Sequence, residues 1–251
     1  KFDFTAAGIV TVDMSEYVKA VIADMPSDMI GKAATPAAHH LFDVRDNLIP
    51  VEKEKADAFH KIVMQLQYLS QRARPDIRTA VSFLCKRVSA PDLDDYKKLT
   101  RVMRYLQSTI YLKLTLESDG TGIIRWWVDA SYAVHPDMKG HTGGTLSMGK
   151  GCIYSVATGQ KLVARSSTEA ELIGVHDLMP QIVWTSYCLQ AQGQIVTDNI
   201  LYQDNMSSIL LEKNGRSSST KRTRHINIRY FFVKDRVASG EVRIEPFPTL
   251  E

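Results

Sequence analysis

The stretch IIRWWVDASYAV, residues Ile123 to Val134, is apolar enough to form a buried strand, yet it carries Asp129 near its end. A lone carboxylate in such a place costs several kcal/mol unless something neutralises it. The bland reading is a turn residue at a strand terminus. The sharper one requires other acids able to share the position. The flanks decide the fold. Upstream, YLKLTLE alternates Leu112, Leu114 and Leu116 with Lys113 and Thr115, the period of a half-buried strand, and SDGTG is a turn. Downstream, GGTLSMG and CIYSVATG are two further strands bounded by glycine. A long helix is expected over 167–190 behind a Ser166/Ser167 cap, then a short apolar run, NILYQDN, ending in Asp204. Residues 206–213 and 225–239 read as helices, and EVRIEPFP as a last strand weakened by Pro246. From Ile123 onward the order is β-β-β-α-β-α-α-β, one α/β domain.

The first half reads as helices. SEYVKAVIADMP puts Tyr17, Val18, Val21, Ile22 and Met25 on one stripe that Pro26 ends. A breaker-rich loop follows. Residues 51–73 then carry Phe59, Ile62, Val63, Leu66 and Leu69 at helical spacing, and a shorter helix follows through Ile77, Ala80, Val81, Leu84 and Val88. Ser89, Pro91 and Asp92 suit the start of a further helix that turns Leu93, Tyr96, Leu99, Met103 and Leu106 inward. The change of period places the domain boundary near 108–120.

Three acids stand out. Asp129 and Asp204 each close an apolar run, and Glu171 lies in the first turns of the long helix, in SSTEAELIGV. Glu169 sits about 200° away around that helix. Leu172, Val175 and Met179 define the buried stripe, and Glu171 borders it. Adjacent parallel strands ending in Asp, with a helix Glu leaning over them, form a cluster that needs cations. Oxygen ligands suit hard divalent ions, Mg²⁺ above all. Two such ions about 3.5–4 Å apart can activate a water and stabilise the leaving oxygen of an in-line phosphoryl displacement.

The totals set outer bounds. With 251 residues, 44% hydrophobic and 24% charged, the chain can bury a full core in one large or two modest domains. A net charge of +3 is not diagnostic. Cys85, Cys152 and Cys188 lie far apart, which points to a reducing compartment and away from a zinc site or disulfide framework. No apolar run reaches the ~18 residues that cross a membrane. The chain starts at Lys1 instead of Met and reads as a piece of something longer.

At these residues the chain resembles a known family. VDASYAVHPDMKGHTGG, SSTEAELIGV, ILYQDNMSSILLEKN and TKRTRHINIRYFF look like the ribonuclease H domain of copia-type LTR retrotransposon polyproteins. YLSQRARPDIRTAVSFL and KKLTRVMRYLQST resemble the segment joining reverse transcriptase to that domain, and GIVTVDMSEYVKAVI the stretch just after the polymerase centre. The resemblance implies a ribonuclease H-like fold over 118–251, a mixed five-stranded sheet with flanking helices that lacks its C-terminal end. A mainly helical thumb/connection remnant over 1–117 would precede it. It puts the family's catalytic, metal-holding acids on Asp129 (the DA motif), Glu171 (SSTEAE) and Asp204 (DN). It also implies two Mg²⁺ ions, with Mn²⁺ able to substitute, and hydrolysis of the RNA strand of an RNA–DNA hybrid read through its backbone and 2′-hydroxyls. The partners would be that hybrid, or RNA, and the upstream polymerase region, in the cytoplasm or a virus-like particle. The family's fourth acid, in a motif beyond the last strand, and the polymerase's paired Asp both fall outside Lys1–Glu251.

EKNGRSSSTKRTRHINIR adds a basic segment in which Arg216, Lys221, Arg222 and Arg224 could hold phosphates, unless it is simply a solvated loop. Asn205, beside Asp204, is a candidate for the hybrid's minor groove. The histidines show no metal-ligand spacing. The competing reading is a co-opted, non-catalytic RNA-binding or scaffold subunit of a ribonucleoprotein. Three mutually repelling acids count against it.

Overall fold

The computed structural model describes residues 1–45, 49–214 and 227–247, and of 214 and 227–230 the backbone alone. The chain forms two compact units, Lys1–Leu116 and Glu117–Glu251. In the first, β1 (Phe2–Asp3) and β2 (Ile9–Val12) make an antiparallel pair that the helical reading did not anticipate. Four helices follow: α1 (Ser15–Ala23), α2 (Lys53–Arg72), α3 (Arg78–Cys85) and α4 (Leu93–Ser108). Their apolar stripes close one core, with Val18 and Val21 against Phe59, Ile62, Leu66, Val81, Leu84, Leu99 and Met103. Asp92 starts α4: its side chain accepts from the backbone N–H of Asp94 and Asp95, and the Asp95 side chain returns to the Asp92 N–H.

The second unit is built on β4 (Ile123–Ser131), preceded by β3 (Leu114–Ser118), in which the two units divide. The remaining elements are β5 (His141–Ser147), β6 (Gly149–Lys150), β7 (Tyr154–Gly159), α5 (Ser167–Ala191), β8 (Asp198–Gln203), α6 (Met206–Asn214), α7 (Asn227–Ala238) and β9 (Arg243–Pro246). β3 pairs briefly with β6. The main sheet has the order β7-β5-β4-β8-β9, antiparallel across its first three strands and parallel from β4 to β8 to β9. This mixed five-stranded α/β arrangement with flanking helices is the ribonuclease H-like fold expected from the motifs.

α5 lies on the sheet face formed by Ile124, Trp126 and Val128, to which it contributes Val175, Leu178, Met179 and Ile182. Two glycines permit the approach. A Cβ on Gly174 would meet Thr142 Cγ2 at 3.1 Å, and one on Gly144 would meet Leu178 Cδ1 at 2.5 Å. The helix continues through Pro180. Trp126 is the inward tryptophan. The Trp127 ring stacks on Tyr202 at 5.5 Å, with Phe247 edge-on to both. Side chains alternate across a strand, so Trp127 faces away from α5 and finds the next strands' aromatics.

Candidate metal centre

Strand register brings the first two acids together. β4 and β8 pair in parallel as far as Trp127↔Tyr202. Two residues further along each chain stand Asp129 and Asp204, so both leave the parallel pair on the same face. Asp129 is not the last residue of its strand, since β4 runs on to Ser131 with Asp129 opposite Gly143 of β5. β8 has ended by then, which leaves both Asp side chains exposed.

The third acid comes from α5. Ser166 caps the helix by accepting from the Glu169 N–H at 3.2 Å, and Glu169 accepts from the Arg165 N–H at 2.8 Å. Glu169 is thereby committed to the helix start. Glu171, 5% exposed, points at the sheet, where its Oε1 accepts from the Ala130 N–H at 3.1 Å and its Oε2 from Gln203 Nε2 at 3.3 Å. Asp129, Glu171 and Asp204 each offer an oxygen, and these lie within 4.8 Å of one another. Among the described residues no other group of three or more His, Cys, Asp or Glu is arranged to hold a metal ion.

Burial and then the neighbouring Asp129 charge push the Glu171 carboxyl up to about 8, against the Ala130 and Gln203 hydrogen bonds, with Asp204 adding to the rise. An all-carboxylate set suits a hard divalent cation, and one bound there would remove the repulsion that raises Glu171. The residues fit Mg²⁺ or Mn²⁺.

The other expected contacts divide. Asn205 caps α6, its Oδ1 accepting from the Ser208 N–H at 3.0 Å. Arg216, Lys221, Arg222 and Arg224 lie outside the described residues. His135 Nε2 and His141 Nδ1 meet at 3.1 Å in a buried pair, six residues apart with no spacing that announced it. Sequence reasoning also missed Gln203 and Glu212, both buried beside the cluster. A glutamine in the apolar run of β8 was the available signal.

The chain is 27% identical over 246 residues to a retrovirus-related Pol polyprotein from transposon TNT 1-94 of Nicotiana tabacum, which takes in 96% of the chain. It is 32% identical over 188 residues, 74% of the chain, to the Pol polyprotein from transposon RE2 of Arabidopsis thaliana. The chain belongs to the copia-type retrotransposon Pol polyproteins. This Pol segment spans 18% of the first relative's length and 13% of the second's. No family model matches it. Among solved structures, it is similar to a ribonuclease H1 isolated from compost by a metagenomic approach, with 10% identity and a TM-score of 0.38 over 51% of this chain and 86% of that one. Among the described residues, no helix of the Pol segment is long and apolar enough to cross a membrane.

Proposed function

We propose that the chain is the part of a retrotransposon reverse transcriptase that hydrolyses the RNA strand of RNA–DNA hybrids, with two Mg²⁺ ions held by Asp129, Glu171 and Asp204. Mn²⁺ would substitute. The convergence of these three carboxylates beyond the end of the β4–β8 pairing carries the reading. Bound divalent cations supply polarisation of the scissile phosphate and acidification of a water. The protein's share is placement. Asp129 and Asp204 stand exposed, where a duplex backbone has access, while Glu171 is anchored from behind by the Ala130 N–H and the Gln203 amide. Arg216, Lys221, Arg222 and Arg224 would add phosphate contacts that weaken with salt. Lys1–Leu116 would serve as the thumb/connection element beside an upstream polymerase region of the same polyprotein, in the cytoplasm or a virus-like particle.

The test is cleavage of an end-labelled RNA–DNA hybrid in Mg²⁺ or Mn²⁺ by the chain and by Asp204→Asn. Metal-dependent cleavage that falls about a hundredfold or more in the variant is expected. A chain that cleaves nothing but binds RNA in a salt-sensitive way would leave only the scaffold reading.

A further inference from the structure

Behind the carboxylate cluster lies a second, wholly buried polar chain. Gln203 is 1% exposed and Glu212 fully enclosed. Ser208 Oγ donates to Glu212 Oε1 at 2.9 Å, one helical turn away on α6. The Gln203 amide is the link between the two carboxyl groups. One of its terminal atoms is 3.3 Å from Glu171 Oε2, and the other is 3.0 Å and 3.2 Å from the two Glu212 oxygens.

An amide so placed can face only one way at a time. With its nitrogen toward Glu212, its oxygen opposes Glu171, and an ionised Glu171 is repelled. With its nitrogen toward Glu171, its oxygen opposes Glu212, which must then carry a proton to donate. A metal-holding Glu171 is ionised, so the second orientation applies. Donation then runs in one direction, from Ser208 through Glu212 and Gln203 to Glu171. Each Glu171 oxygen accepts one protein hydrogen and keeps a lone pair facing the strand acids. We propose that Gln203 and neutral Glu212 form a positioning pair that fixes the Glu171 carboxylate for the cation, a role that rests on the metal-centre reading above. Burial of Glu212 agrees with this, pushing its carboxyl up to about 7. Neither residue touches the reacting atoms.

Groups that orient a metal ligand from behind typically account for about 10–100-fold in metal affinity. Calorimetric titration of the 251-residue chain with Mn²⁺ tests the role without relying on activity. Gln203→Met, of similar shape and without hydrogen bonds, is expected to weaken Mn²⁺ about tenfold or more. Glu212→Ala should do the same, whereas Glu212→Gln, a neutral donor, should stay close to wild type. A folded Gln203→Met that binds Mn²⁺ like the wild type overturns the role, as does a Glu212→Gln no better than Glu212→Ala. A readout on the unmodified protein guards against variants that fail to fold. The Gln203 side-chain amide resonances should move on adding Mg²⁺, and their indifference also overturns the role. A wild-type chain that binds no Mn²⁺ removes the metal centre itself and the positioning pair with it. Wild-type binding that survives in the variants removes the pair alone.

Discussion

The two units treat buried charge in opposite ways. Among the described residues, the helical unit buries Arg74, Lys98, Asp92 and Asp95, two of each sign. Every one has a counter-charge: Arg74 on Asp76, Lys98 on Asp94, and Arg87 on both Asp92 and Asp95. Arg74 also donates to the Thr109 carbonyl and hydroxyl, so its fork is filled. Among the described residues, the sheet unit buries Glu169, Glu171 and Glu212 and no lysine or arginine. Charges that the chain neutralises itself serve architecture. Glu171 has two acids, Asp129 and Asp204, as its charged neighbours, and acids gathered so closely mark the place where something from outside is expected.

The largest test of this contrast is Arg74→Met. Removing one partner of a buried pair costs about 3 kcal/mol or more. All three tryptophans, Trp126, Trp127 and Trp184, lie in the sheet unit. Their fluorescence therefore follows that unit, while far-UV circular dichroism also follows the helices. Arg74→Met should lower the circular-dichroism transition and leave the fluorescence transition in place. An equal shift in both would mean that the units unfold as one, and the contrast would lose its meaning.

A smaller effect is expected from pH. The Glu171 carboxyl is raised from 4.5 to about 8 in the metal-free fold, so the folded chain holds a proton that the unfolded chain releases. Stability from this group is complete below about pH 4.5 and declines as pH rises towards 8; the full shift corresponds to about 5 kcal/mol, which solvent screening at the exposed strand acids cuts to on the order of 2–3 kcal/mol. Urea titrations followed by tryptophan fluorescence at pH 5 and pH 8 check the sign, and Mg²⁺ should restore the loss at pH 8. Smaller still is Asp129→Asn. Without metal at neutral pH it relieves repulsion on Glu171 and should stabilise the sheet unit by about 1 kcal/mol, at the expense of function. A destabilised variant would show that the acids are compensated within the chain after all.

Periodicity made much of this legible. Helical stripes such as Phe59–Ile62–Leu66 and the alternation through Trp126 reveal which face is buried because the local period repeats it. Asp129 and Asp204 could be read for the same reason, each lying on an apolar run whose parity sets its side. Glu171 followed from its place beside the buried stripe of α5. What escaped depends on partners distant in sequence. The β1–β2 pair is held by register, the Trp127 cluster needs Tyr202 from β8 and Phe247 from just past the last strand, and Gln203 meets Glu212 only once α6 has folded into place. No local repeat encodes such meetings.

Gly174 and Gly144 seat α5 on the strands with less than a methyl group to spare. Glu171 rides on that helix, whereas Asp129 and Asp204 belong to the sheet or its edge. The thickness of the helix–sheet contact is therefore the gauge against which an ion is measured. Lift the helix by one methyl, as in Gly174→Ala, and the gap between helix-borne and strand-borne oxygens widens. Selectivity should drift from Mg²⁺, at roughly 2.0–2.1 Å to oxygen, towards Ca²⁺, at roughly 2.3–2.6 Å, which competition calorimetry would register as a changed affinity ratio. The calibre of the site is set by side chains that are not there.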